Sequence, residues 1–327
     1  MKSIERTPIY SIIIPHRNVP DLLKRLLHSI PQRDDVEIIV VDDNSSPEFQ
    51  PNLLKLQSEC VNARFVFMDK CMGGGAARNV GLEQATGNWI LFADADDFFN
   101  YCINEILDDY KECDADIVYF NANSLDCHLY TALNSRVGHL NCYIKDYNET
   151  HNEQSLRYRF GEPWCKMVRR EIIMENSIRF EETSIHNDTA YSYLVGFYAQ
   201  KMEVDKRALY CVTGREDSVS KGLSCEKKLE RIGVFARAAQ FFKTHAIGVK
   251  ESRHFKQLLE LKRENKQAFS QAFEMLQQYG YSSLEIKKEL WRQRFRQILG
   301  SPKKYFRFVL QKFFPNTFYK IKIGFYK

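Results

Sequence analysis

The chain has no run approaching the roughly 18 uninterrupted apolar residues that a membrane-crossing helix needs, so no transmembrane span is expected. Residues 1–8 carry no apolar stretch of the kind found at the heart of a secretory signal, and none is expected. Cysteine occurs nine times but never as a Cys-x-x-Cys pair. The odd count and scattered spacing fit free thiols in a reducing cytosol, not a disulfide framework or a zinc site. Residues 291–327 lack any Asp or Glu while holding ten Lys or Arg. The net charge of +5 therefore conceals residues 1–290, with 37 basic against 42 acidic side chains. A basic tail on an acidic body points to an anionic partner for the tail alone. No nucleic-acid recognition element accompanies it, so nucleic acid is not an expected partner.

What is present is the rhythm of an α/β fold. Short apolar runs at Tyr10–Pro15, Val36–Val41, Arg64–Met68, Trp89–Ala93 and Asp116–Asn121 read as strands. Helical spacing separates them, as in Leu22, Leu23, Leu26, Leu27 and Ile30. Val36–Val41 is apolar on both faces, as in a sheet covered on both sides. The alternation implies a doubly wound, mostly parallel sheet, whose ligands bind at the carboxyl ends of the strands. Residues 123–160 show no clear period, and Pro163–Asn176 reads as a loop entering a helix. Asp188–Ala199 reads as a helix and Ala208–Thr213 as the last strand. From Glu226 to about Gln311 the pattern is helical. The expected division is a catalytic domain over 1–220 and a helical C-terminal extension over 221–327.

The acids fall at strand ends. Asp42 and Asp43 follow Val41, and Asp94, Asp96 and Asp97 follow Ala93. Up to five carboxylates would then share one crevice, and like charges that close repel. A divalent cation relieves this, and hard oxygen ligands suit Mg2+ or Mn2+ bridged to phosphate oxygens. The bland alternative is a solvated acidic loop with capping aspartates. The segment Gly73–Gly81 (GGGAARNVG) is glycine-rich and opens a helix. Its small residues and helix amides suit an anionic ligand, with Arg78 as a fixed charge. It lacks the ending of a P-loop, and tight helix–sheet packing explains the glycines equally well.

Together these pieces resemble the inverting glycosyltransferases of family 2, which have the GT-A fold. The matching residues are Ser11-Ile12-Ile13-Ile14-Pro15-His16-Arg17-Asn18 and Ile39-Val40-Val41-Asp42-Asp43-Asn44-Ser45. Next come Gly75-Ala76-Ala77-Arg78-Asn79-Val80-Gly81 and Ile90-Leu91-Phe92-Ala93-Asp94-Ala95-Asp96-Asp97. Pro163-Trp164-Cys165-Lys166 and Asn187-Asp188-Thr189-Ala190-Tyr191 follow, so the resemblance covers roughly residues 8–220. It implies that Pro15, Arg17 and Arg78 lie beside the nucleotide and that Asp42 contacts its base or ribose. It further implies that Asp94 approaches ribose and metal, that Asp96 is the principal metal ligand, and that Asp188 is the catalytic base. An aspartate at a helix start is expected to stay ionised in the field of the helix dipole. The residue before the base is usually acidic in this family; here it is Asn187. Some members carry a metal-binding His after the last strand, where residues 212–220 have none; Arg215 is the candidate for the diphosphate instead. Trp164 is either an acceptor-stacking platform or core.

The implied reaction is metal-dependent, inverting transfer of a sugar from a nucleotide-sugar donor, with a UDP-sugar favoured, to a glycan or lipid-linked acceptor in cell-surface polysaccharide synthesis. Two rivals remain. A nucleotidyltransferase also uses a sheet-edge acidic pair, but would carry a glycine-rich loop after the first strand, where His16-Arg17-Asn18-Val19-Pro20 stands. A non-catalytic nucleotide-sugar-binding module would not need Asp96 and Asp188 together. Residues 291–327 interleave eleven aromatics with ten basic residues. That mixture suits a peripheral position on an anionic membrane surface at the cytoplasmic face, or packing on protein. The sequence does not fix an oligomeric state.

Overall fold

Ile12, Ile13 and Ile14 place β-branched side chains on both faces of the first strand, and all three are fully buried, so this strand takes the centre of a sheet covered on both sides. The computed structural model describes residues 8–126, 130–132, 137–214 and 223–299. In chain order the first unit contains β1 (Tyr10–His16), α1 (Pro20–Ser29), β2 (Val36–Asp42), α2 (Gln50–Glu59), β3 (Ala63–Phe67), α3 (Gly74–Gln84) and β4 (Trp89–Phe92). It continues with β5 (Phe98–Phe99), α4 (Ile103–Asp109), β6 (Ile117–Asp126), α5 (Gly138–Thr150), α6 (Gln154–Arg159), β7 (Lys166–Arg169), α7 (Arg170–Glu175), α8 (Asp188–Tyr198) and β8 (Met202–Gly214). The chain divides into two compact units, Met1–Lys221 and Gly222–Lys327.

The eight strands run in the order β3-β2-β1-β4-β7-β6-β8-β5. β1 to β4 are mutually parallel, and β6 is parallel to β8. The doubly wound, mostly parallel α/β sheet expected of the sequence is what forms. Two strands depart from it. β5 pairs antiparallel with β8, and β7 runs antiparallel between β4 and β6. The segment 163–176, read as a loop leading to a helix, thus contains a strand. Lys166 at its start broke the apolar signal, and four residues are too few for a period to show. Residues 123–160, read as aperiodic, contain the end of β6 and helices α5 and α6. α5 buries only Leu140 and Ile144, so its apolar stripe is too thin to stand out.

Helices cover the sheet by burying narrow stripes. α1 begins with Pro20 in its first turn, where the missing N–H costs nothing, and sinks Leu23, Leu26 and Leu27. Each such side chain contributes about 1.5–3 kcal/mol by leaving water. α3 approaches the sheet more closely than any side chain permits. A methyl group added at Gly81 would stand 2.3 Å from Ile13 Cγ2, and one at Gly75 would stand 2.2 Å from the Glu181 carbonyl. Gly73 caps the helix at φ 92°, a conformation that favours glycine.

The second unit consists of α9 (Cys225–Thr244), α10 (Arg253–Glu264), α11 (Lys266–Gln278) and α12 (Ser283–Leu299). They enclose a core that includes Ile232, Phe255, Leu258, Leu261, Ala272, Leu276 and Ile286. Ser224 and Asn265 cap α9 and α11 with side-chain oxygens. The expected helical pattern is present up to Leu299. Its continuation to Gln311 and the rest of the basic tail lie outside the described residues.

The close approach of α3 gives a stability prediction. Gly81→Ala forces a clash with Ile13 that outweighs the better helix propensity of alanine. It should cost about 1–3 kcal/mol in urea unfolding. An unchanged midpoint would show that α3 can shift away from β1 without cost.

Candidate active site

From β1 the chain builds β2 and β3 on one side, then returns to place β4 on the other. The direction of winding switches at β1, and ligands bind beyond the carboxyl ends of strands at such a point. Pro15, His16 and Arg17 end β1, Asp42 ends β2 beside His16 in register, and Asp94 follows β4. Pro15 is half-buried and Arg17 is exposed.

The five strand-end carboxylates do not share one crevice as equals, contrary to expectation. Asp42 is 1% exposed and is held by the protein itself. Its Oδ1 accepts from His16 Nδ1 (2.7 Å) and Ser45 Oγ (2.5 Å), and its Oδ2 from the Ser45 N–H (2.9 Å). His16 Nε2 accepts the Val19 N–H at 3.2 Å, which leaves Nδ1 to donate to Asp42. Burial alone would raise Asp42, but the hydrogen bonds from His16 and Ser45 outweigh it and hold the carboxyl below its usual range. Asp43 accepts the N–H groups of Met72 (2.7 Å) and Gly73 (2.9 Å) and so shapes the entry to α3. Asp97 is buried with Oδ1 on the Thr213 N–H at 2.6 Å. Burial, with Asp96 and Asp94 nearby, pushes it well above the ordinary carboxylate range. Asp94 and Asp96 are the two that stay partly exposed.

Arg78 links two halves of the site. It is 8% exposed, with Nη2 at 2.6 Å from Asp94 Oδ1 and Nη1 at 3.0 Å from Asn187 Oδ1. Its guanidinium carbon stands 5.3 Å from the centre of the Phe180 ring. Its buried Nε has no acceptor among the described residues. Phe180 stacks on Tyr191 at 4.3 Å, and both meet Phe92 edge-on. Since Phe92 precedes Asp94 by two residues and Tyr191 follows Asp188 by three, this aromatic cluster ties the β4 turn to the start of α8.

Asp188 opens α8 and is partly buried. Its carboxyl is pushed up to about 6, chiefly by burial. Arg78 opposes the shift, while Glu162 and Asp94 reinforce it. The helix dipole favours the ionised form, as expected of an aspartate at a helix start, and burial works against it. Glu162 Oε1 lies 3.2 Å from His139 Nε2, and its buried Oε2 has no partner among the described residues. Lys166 is 1% exposed, donates to the Phe160 carbonyl at 2.6 Å, and is pushed down to about 7 by burial. Trp164 is 7% exposed and stacks on Tyr210 at 5.5 Å and 17°, so it belongs to the core cluster. The Tyr210 hydroxyl accepts the Asp94 N–H at 2.7 Å, so the Trp164–Tyr210 stack supports the acidic turn from beneath. Arg215 lies outside the described residues.

Two half-exposed carboxylates, Asp94 and Asp96, are the hard oxygen donors available for a divalent cation. Among the described residues no group of three or more His, Cys, Asp or Glu forms a ready cage. A pair of carboxylates fits Mg2+ or Mn2+ whose remaining positions are filled by phosphate and water, the usual arrangement for such ions.

The sheet and its acidic edge define a GT-A-type fold. The profile of glycosyl transferase family 2 matches residues 11–176, and the chain belongs to that family. The glycosyltransferase GlyA of Streptococcus pneumoniae is 25% identical over 302 residues, covering 88% of this chain and 42% of GlyA. The poly(ribitol-phosphate) beta-N-acetylglucosaminyltransferase TarS of Staphylococcus aureus, solved with UDP-GlcNAc, superposes with a TM-score of 0.56 at 20% identity. That match covers 83% of this chain and 81% of the TarS chain. The mannosyltransferase PcManGT of Pyrobaculum calidifontis, solved with GDP-Man and Mn2+, superposes with a TM-score of 0.52 at 16% identity, covering 92% and 83% of the two chains. The chain spans less than two thirds of the length of the curated relatives it matches.

The sequence named Asp43 among the strand-end acids without giving it a role, and did not single out His16, Glu162, Lys166 or Tyr210 as parts of this region. His16 and Lys166 stood within the matched motifs, and Asp43 beside Asp42, so a signal was there. Glu162 and Tyr210 depend on loop and strand placement that no local pattern encodes. The geometry makes a titration prediction. In the folded protein Asp188 should release its proton near pH 6, and Arg78→Gln should move that point higher by removing the opposing charge. Carbon-13 carboxyl spectra of Asp-labelled protein, assigned with Asp188→Asn, read both values. A wild-type titration in the ordinary carboxylate range would remove burial as the dominant influence.

Proposed function

We propose that the chain transfers a sugar from a nucleotide-sugar donor to an acceptor hydroxyl with inversion, Asp188 serving as general base. The observation that carries this reading is the juxtaposition, through Arg78, of a partly exposed acidic turn with a carboxylate whose proton affinity is tuned close to neutrality. A base with a pKa near 6 is mostly ionised at pH 7, yet retains more affinity for a proton than an exposed aspartate. The acceptor oxygen attacks the anomeric carbon as its proton passes to Asp188. The bond from that carbon to the diphosphate oxygen breaks on the opposite face, so the configuration inverts.

Pro15 and Arg17 at the end of β1, and Arg78 with its unspent Nε, flank the nucleotide. Three of the roughly four acceptor sites on Asp42 are already taken by His16 and Ser45. Asp42 therefore acts mainly by fixing the 16–19 turn against the base, with one lone pair left for ligand. Asp94 and Asp96 would hold Mg2+ or Mn2+, which when bound neutralises charge developing on the leaving diphosphate. The solved relatives with UDP-GlcNAc and with GDP-Man and Mn2+ support this donor class and metal. A UDP-sugar is the donor we favour, given TarS. The acceptor is a glycan or a lipid-linked sugar of a cell-surface polymer, and the basic-aromatic segment 291–327 would keep the enzyme at an anionic cytoplasmic membrane face. The catalytic domain is assigned to residues 1–220 and the extension to 221–327.

Two outcomes test the chemistry. Asp188→Asn preserves shape but cannot take the proton, so turnover should fall at least roughly a hundredfold with donor binding kept. Normal turnover in that variant would transfer the role elsewhere. A thermal-shift screen of nucleotide sugars with Mn2+ or Mg2+ identifies the donor, and both Asp96→Ala and added EDTA should abolish transfer. Full activity in chelator would eliminate the metal from the mechanism.

A further inference from the structure

Ion pairing in the second unit is uneven. Lys228 satisfies Glu260 and Glu264, Lys250 and Arg292 satisfy Glu289, and Arg253 satisfies Glu251. Another group of cations is left over. Lys262 and Arg263 at the end of α10, with Lys287 and Arg294 on α12, line a groove of about 470 Å³. Its remaining walls are Leu259, Leu290 and Trp291, and no acidic side chain contributes. None of the four cations forms an ion pair among the described residues. Arg263 donates instead to the Gln297 side chain at 3.0 Å, and Lys262 stands 5.7 Å from the centre of the Phe269 ring.

The apolar residues beside these cations are on the wrong side for a core. α12 buries Ile286 and Leu290, which face the unit's interior. Leu284 and Trp291 are seven residues apart, on one stripe of the helix, and are 76% and 61% exposed. Lys287 and Arg294 occupy the same stripe at three-residue offsets. Trp291 lies flat on Phe295, with ring centres 5.3 Å apart and an 8° angle between planes. Large apolar groups alternating with unpaired cations suit a boundary where one side is wet and anionic and the other is hydrocarbon.

We propose that the α10–α12 groove is a binding site for the anionic headgroups of a phospholipid surface, with Lys262, Arg263, Lys287 and Arg294 on the phosphates and Trp291 and Leu284 inserted at the acyl boundary. The inference rests on the reading that the chain works at a membrane face, and it places an attachment point on folded helices, where Trp291 and Arg294 of the 291–327 segment meet Lys262, Arg263 and Lys287 upstream of it. It does not depend on the transfer chemistry. The fully buried Trp89 and the stacked Trp164 cannot reach lipid, so Trp291 is the reporter.

The test uses full-length protein with vesicles of phosphatidylcholine alone and of phosphatidylcholine mixed with phosphatidylglycerol. The expected result is sedimentation with the anionic vesicles only, weakened by salt, with a blue shift of tryptophan emission that disappears in Trp291→Phe. Lys287→Gln should weaken partitioning roughly fivefold, and combining it with Lys262→Gln, Arg263→Gln and Arg294→Gln should weaken it at least about a hundredfold. The quadruple variant leaves residues 300–327 unchanged, and its fold is checked by an unchanged nucleotide-sugar thermal shift. Anionic-vesicle binding that is undiminished in that variant, or equal binding to neutral vesicles, overturns the proposal. So does a blue shift produced by inorganic phosphate or by self-association without lipid. Loss of nucleotide-sugar binding in wild-type protein would instead count against the transferase reading and leave the groove untouched.

Discussion

The site depends on one guanidinium. Arg78 is nearly buried, and a charge that far from water must be paired or it neutralises or unfolds its surroundings. Asp94 supplies the counter-charge and Asn187 a second acceptor. Through those two bonds a residue on α3 sets the distance between the β4 turn and the start of α8. The glycines of α3 follow from the same requirement. Arg78 reaches both partners only because the helix lies against Ile13 on one side and the Glu181 carbonyl on the other, where glycine alone leaves room. The two explanations of the glycine-rich segment, packing and anion binding, are therefore linked. Close packing at Gly75 and Gly81 is what presents the cation.

Electrostatic repulsion at the strand ends is relieved in three ways. Asp42 and Asp43 are absorbed by hydrogen-bond donors from the protein, and Asp97 is buried where its acid form is favoured. Asp94 leans on Arg78. Proximity of five carboxylates therefore does not by itself demand a cation; Asp94 and Asp96 are the two left partly exposed.

The parallel half of the sheet could be read from the chain because its strands are short apolar runs, two of them closed by acids as in Val36–Asp42, and the first helix carries a leucine stripe. The candidate site was legible wherever its residues follow a strand end or open a helix. What escaped was set by tertiary context. Lys166 is polar in sequence but fully enclosed in the fold, so β7 was invisible. Asp188 looked like an ordinary dipole-stabilised aspartate, because nothing local reveals that Glu162 and the core will crowd it. The exposed stripe of α12 looked like any helical period; only the structure shows which face is turned out.

β7 has a further consequence. It joins β4 through only two paired positions, Trp89 with Arg169 and Ile90 with Val168, and β6 through three. The sheet is thus two ladders stitched along a short seam, one carrying Pro15, Asp42 and Asp94 and the other abutting Asp188. Few backbone bonds cross that seam. Side chains bridge it instead, with Arg78 and the Phe92–Phe180–Tyr191 cluster spanning the line. A sheet fastened at its middle by side chains more than by backbone bonds is held there by contacts that a single substitution can remove.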